Sequence, residues 1–131
     1  MAQQSATSRS QRGQSVVEIA LILPVFLLCV LGMLDLGRAV YSHTVLSNAV
    51  REGCRAAIVT TNTSQTVIQK VQSAAVAVTL PAGNITITGA RTPGTTVTVS
   101  AFVVYTPITP IIQGIVRNPI TLSASSAMVV D

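Results

Sequence analysis

The sequence predicts an α+β fold. A long N-terminal membrane-spanning helix continues into a small domain, where a second helix packs on a three-stranded antiparallel sheet. Three observations predict it. Residues Ile19 to Leu34 are almost purely apolar. Helical spacing of apolar and small residues continues past that run, to about Val59. From Ile85 onward the apolar period changes to two, the mark of half-buried strands.

Composition narrows the class. The chain has 131 residues, 9% charged and 49% apolar, with mean hydropathy +0.61. An ordinary soluble domain carries far more charge. The apolar excess lies in residues 16–41. The remainder of the chain is the size of one modest domain with a single core. The net charge of +4 comes from scarce acids rather than abundant bases. Beyond Tyr41 the bases Arg51, Arg55, Lys70, Arg91 and Arg117 are scattered, and the chain holds two Phe and two Tyr. A nucleic-acid interface needs a clustered basic face, so no nucleic-acid partner is expected.

The first element is the apolar segment. Met1 to Gly13 is short and polar, and is expected to be disordered. Ile19 to Leu34 makes roughly 24 Å of helix. Adding Leu36, Ala39, Val40 and Tyr41 gives a spanning length of about 20 residues. No A-x-A-like cleavage site comes after it, so the segment is expected to remain in the mature protein. A buried helix of a soluble protein fits poorly, because the run is long and has no polar face. Arg9 and Arg12 before it nearly balance Arg38 and Arg51 after it, so charge does not decide orientation. Pro24 removes one helical hydrogen bond and is expected to kink the helix, which membrane helices tolerate. Whether such a kink aids packing stays open.

The helix is expected to run from about Ser15 to Val59. Asp35 with Arg38, and Glu52 with Arg55, are i, i+3 pairs, read as surface decoration worth little. Ala49, Gly53 and Ala57 form a stripe of small residues that admits a close neighbour. Its own domain is the expected neighbour, and an adjacent subunit the alternative.

Thr60 to Thr66 is a polar turn. A second helix comes next, with Val67, Val71, Ala74, Ala75 and Val78 on one face, ending before Pro81. Ile85 and Ile87 alternate in the first strand, and Val97, Val99, Ala101, Val103 and Tyr105 in the second. Between them Thr92-Pro93-Gly94-Thr95 suits a type II turn. Pro119 to Val130 supplies the third strand, with Ile120, Leu122, Ala124 and Met128 on one face. In the connection, Thr109 is expected to cap a short helix with Pro110 at its first position. Ile111, Ile112, Ile115 and Val116 would cluster there, either capping the core or forming a docking patch for a partner or lipid.

Catalysis lacks raw material, and no enzyme is expected. The one histidine, His43, is about 16 Å along a helix from Cys54, too far for a nucleophile–base pair. Beyond Val40 the only carboxylates are Glu52 and Asp131. Cys29 and Cys54, 25 residues apart, cannot bridge within one helix. No metal-ligand spacing or phosphate loop occurs, so no catalytic residue, metal or cofactor is assigned.

One acid stands out. Glu18 sits at the mouth of the apolar run, in a chain with four acidic residues. A carboxylate at a membrane edge is costly unless paired. It balances Arg12 at headgroup level, or it meets a positive group on a neighbouring helix.

The stretch RGQSVVE, Arg12 to Glu18, resembles a type IV prepilin leader junction. That resemblance implies cleavage by a prepilin peptidase between Gly13 and Gln14, on the cytoplasmic side. Glu18 would become the fifth residue of the mature chain. More narrowly, GQSVVEIALILPV, LDLGRAVYSHTVLSNA and REGCRAA are similar to TadE-like proteins, the pseudopilins of the tight adherence (Tad, or Flp) pilus system. The similarity covers about residues 12–57. It implies a leader at 1–13, a transmembrane and continuing helix at 14–59, and an exported α+β domain at 60–131. It implies a single-pass protein of the bacterial inner membrane, with its leader cytoplasmic and its domain exported, open to incorporation in a pilus. Implied partners are the prepilin peptidase, other pilins and pseudopilins, the pilus assembly machine and the lipid bilayer. Glu18 takes the assembly role, pairing with the α-amino group that cleavage frees. Cys54 departs from the family, which usually has a small residue such as alanine there. The expected function is a minor pilin or pseudopilin, a structural subunit for adhesion or secretion. The alternative is a single-pass anchor displaying a small ligand-binding or sensory domain, with no cleavage.

Overall fold

The computed structural model describes residues 7–76, 78–115 and 119–130, and side chains from Gly13 onward except at 110, 111 and 115. Helix α1 spans Thr7–Ala57, 51 residues, roughly 76 Å of helix. It passes through Pro24 without a break in assignment, although Pro24 has no N–H to offer the Ala20 carbonyl. The helix begins earlier than expected. Thr7 to Arg12 contains no Gly or Pro, so the helix extends back into a flank that composition marks as disordered. Met1 to Ala6 lie outside the described residues. At its other end α1 stops at Ala57 rather than Val59, and Asn62 Nδ2 donates to the free Ala56 carbonyl (2.9 Å).

Helix α2 spans Ser64–Ala74, with the Thr63 hydroxyl accepting the Thr66 N–H at its start. Val67, Val71 and Ala75 are buried as the spacing predicts; Ala74 and Val78 are half-buried, and Val78 lies beyond the helix end. Strands β1 (Ile85–Thr88), β2 (Thr96–Tyr105) and β3 (Ile120–Val129) form an antiparallel sheet in the order β1-β2-β3. Ile87 faces Val99, and Tyr105 faces Ile120. The 92–95 turn has its Thr95 N–H on the Thr92 carbonyl (3.1 Å) and Gly94 at φ +82°, the type II geometry that Pro93-Gly94 predicts.

The core lies between the distal half of α1, α2 and one face of the sheet. Leu46, Val50, Cys54, Val67, Val71, Val97 and Val99 are fully buried. The small stripe serves this packing: Ala49, Gly53 and Ala57 are all buried, and Gly53 faces Val71 and Val99. Arg91 fastens the α1–α2 turn, donating to the Asn62 carbonyl (2.7 Å) and to the Ser64 hydroxyl.

Strand β2 runs back along α1 towards the apolar segment. The Cys54 thiol lies 3.6 Å from the Val97 carbonyl, and the Tyr105 hydroxyl donates to the Asp35 carbonyl at 2.7 Å. Between these contacts α1 advances about 28 Å and β2 about 27 Å, so helix and strand keep step. The sheet therefore delivers the β2–β3 connection to the point where the apolar run ends.

Candidate functional site

Two regions carry the functional residues: the exposed first half of α1, and the collar where the domain returns to that helix.

In the first region every large apolar side chain from Val16 to Leu34 is exposed. The helix is long and apolar enough to span a membrane, and none of its most apolar window is buried within the chain. An apolar helix with no polar face needs an apolar surrounding. Gly13, Gln14, Glu18 and Pro24 all lie on this exposed helical stretch. Gln14 and Glu18 are one turn apart on one side of it. A side chain at Gly13 would meet no atom within 4 Å. No contact in the fold accounts for a glycine there.

The collar was not foreseen. Asp35, expected as surface decoration with Arg38, is only 5% exposed. Its two carboxylate oxygens accept the backbone N–H groups of Ile108 and Thr109, each at 2.9 Å. The Arg38 guanidinium stands 4.0 Å from the same carboxylate and 6.0 Å from the Tyr105 ring centroid, within cation–π reach. Asp35 thus satisfies two donors at the start of the β2–β3 connection, which the buried Thr109 backbone has no strand to satisfy. By contrast Glu52 and Arg55 are both exposed, as decoration should be.

Asp35 directly follows the apolar run, at the foot of the domain. The neighbouring Thr109 hydroxyl, then the Ile108 and Thr109 N–H groups, hold the Asp35 carboxyl below the usual aspartate range; Arg38 adds to this and burial opposes it. Burial, and then the Asp35 charge, push the Tyr105 hydroxyl above its usual value. The Thr109 hydroxyl lies close enough to act on that charge, yet it is buried and makes no hydrogen bond of good geometry. Thr109 holds the cap position before Pro110 as expected, but its side chain makes no cap hydrogen bond. Helix α3 does begin at Pro110 and runs to Ile115, but Thr109 contributes its carbonyl to the Gln113 N–H (3.1 Å), and its own N–H is turned to Asp35.

Of the apolar cluster in this connection, Ile112 is half-buried. With Gly32, Asp35, Leu36, Ala39, Tyr105, Pro107 and Ile120 it lines an apolar crevice of about 340 Å³. Ile111 and Ile115 lie in α3, and Val116 lies outside the described residues. Among the described residues no group of His, Cys, Asp and Glu is arranged to hold a metal ion. His43 is exposed on α1. Cys29 is exposed in the apolar run, and Cys54 is buried with its thiol 3.5 Å from the Ser126 carbonyl. Cys54 therefore fills a small position in the core.

Sequence reasoning missed the role of Asp35 because its partners are backbone N–H groups 73 and 74 residues away. The signal available was an acid immediately after the apolar run, with one weak neighbour for its charge.

No curated protein and no solved structure matches the chain. Residues 13–55, within the long helix, match the family model described as TadE-like protein, so this third of the chain is similar to TadE-like proteins.

Proposed function

We propose that the chain is a minor pilin or pseudopilin, a structural subunit for assembling a Tad/Flp-type pilus used in adhesion or secretion. A segment similar to TadE-like proteins and a helix long and apolar enough to span a membrane support a pilus-associated membrane protein. The observation that carries the finer reading is where the family match starts. It begins at Gly13, the residue before the proposed cut, and excludes residues 1–12.

On this reading a prepilin peptidase cuts between Gly13 and Gln14 on the cytoplasmic side, and the domain is exported. Gly13 supports such a cut physically. It is the weakest helix former in its turn, by about 1 kcal/mol relative to alanine, so the junction opens there at least cost. Cleavage frees an α-amino group at Gln14, one turn from Glu18. Glu18 pairs with that group on an adjacent subunit, and so sets the stagger between helices with other pilins and the assembly machine. Pro24 bends the spanning helix to suit that packing.

Glu18→Gln tests the reading, with Glu52→Gln as control because Glu52 is exposed on the distal part of α1. Glu18→Gln is expected to insert and be cleaved normally, yet to lose pilus assembly and adhesion. Glu52→Gln should retain both. Normal assembly of Glu18→Gln would make Glu18 a headgroup-level charge and remove the assembly role.

A further inference from the structure

We propose that the collar of the exported domain is itself a lipid-binding surface. Ile108 and the apolar crevice beside it sit in the headgroup–acyl boundary of the bilayer that α1 spans, so the domain rests on the membrane rather than standing clear of it. The proposal relies on α1 spanning a bilayer, and not on pilus assembly.

Geometry places the collar there. The Ile108 N–H is bonded to the Asp35 carboxylate at 2.9 Å. Asp35 is the first residue after the apolar run. Wherever that run ends in the membrane, Ile108 is at the same level. Its side chain is nevertheless 62% exposed. Val104, exposed at the same end of β2, and Leu36, exposed on α1, continue the apolar surface.

Length supplies the second argument. With Glu18 held at one membrane boundary, Ile19 to Leu34 provides about 24 Å of apolar helix against a hydrocarbon core of about 30 Å. About 6 Å, or four residues, is missing. Those four residues are Asp35 to Arg38; on one side of the helix there Tyr105, Pro107 and Ile112 line the apolar crevice, and on the other Leu36 stays exposed. The collar supplies the missing apolar surface, with the Asp35 charge enclosed and neutralised inside it. The crevice opens from Gly32, on the lipid-facing helix, so its apolar walls continue the surface that acyl chains already cover. Arg38, with a side chain 54% exposed, stands at the upper rim where phosphate headgroups lie. The occupant is therefore phospholipid: acyl chain in the crevice and phosphate near Arg38.

The chain contains no Trp, so Ile108→Trp creates a sole indole reporter at an exposed position, excited at wavelengths where the two tyrosines do not absorb. The full chain is reconstituted into phosphatidylcholine vesicles with bromines on the upper part of the acyl chains. Thr61→Trp, in the exposed turn at the far end of α1, is the control. Burial of about 5–10 Å below the headgroups predicts at least about twofold quenching of the indole in Ile108→Trp and almost none in Thr61→Trp. Equal, weak quenching of both would overturn the proposal. So would an Ile108→Trp emission that is blue-shifted but unquenched and changes with protein density, because a second copy would then fill the collar.

Discussion

Gly53→Ala tests whether the distal half of α1 is the core of its own domain. An added methyl at Gly53 would fall on Cγ2 of Val71, with Val71 Cβ and Val99 Cγ1 each 3.6 Å away. Val71 is fully buried, so it yields only if α2 shifts. Overpacking of this kind costs about 1–3 kcal/mol. Replacing glycine by alanine within a helix returns about 1 kcal/mol. The net expectation is destabilisation by about 1 kcal/mol, which for a domain of this size lowers the melting temperature by about 4–8 °C. Gly37→Ala is the matched control: the same helix, the same propensity gain, and open space around the new methyl. It should stabilise. A third variant closes the cycle. Val71→Ala vacates the volume that the Gly53 methyl needs, so the double variant should be less destabilised than the sum of the singles, by about 0.5–3 kcal/mol. The assay is urea unfolding of the full chain in detergent micelles, followed by the near-ultraviolet dichroism of the buried Tyr105. If Gly53→Ala raised the midpoint as Gly37→Ala does, α2 would not lie against Gly53. The stripe Ala49, Gly53 and Ala57 would then be free for an adjacent subunit.

The collar and the core yield two further predictions. The Asp35 carboxyl is held below its ordinary value near 3.8, so its stabilisation of the collar is complete above that value and is lost as pH falls through the lowered one. Protection of the Ile108 and Thr109 amides, taken relative to the intrinsic exchange rate at each pH, should stay high at about pH 5, above the ordinary aspartate range, and fall only in more acidic buffer; Asp35→Asn should lower it in the milder buffer as well, and full protection in that variant would contradict the clamp. For orientation, a membrane-impermeant thiol reagent should label Pro93→Cys from the exported side, because Pro93 is exposed in its turn, while leaving the buried Cys54 unmodified. Labelling of Pro93→Cys only after the membrane is lysed would reverse the proposed topology.

Periodic parts of the fold were legible because each residue there answers to near neighbours. Val97, Val99, Ala101, Val103 and Tyr105 turn to the helices as alternation predicts, and the Pro93-Gly94 turn follows from local backbone preference. The apolar helix was legible for the same reason, since its residues are contiguous. The collar was not. Asp35 binds backbone N–H groups, which every residue but proline possesses, so no residue type near Ile108 announces the contact. Thr109 misled for a related reason. Its position before Pro110 matches a local cap, yet its hydroxyl makes no cap bond, and its N–H goes to Asp35, 74 residues away.

The intact mass of the protein purified from membranes of cells that carry the pilus system tests the central claim most directly. The account predicts a chain beginning at Gln14, lacking residues 1–13, with Gly13→Leu retaining them because the peptidase needs a small residue at that position. A wild-type mass corresponding to a start at Met1 or Ala2 would contradict it, and would leave an uncleaved single-pass anchor that displays its small domain.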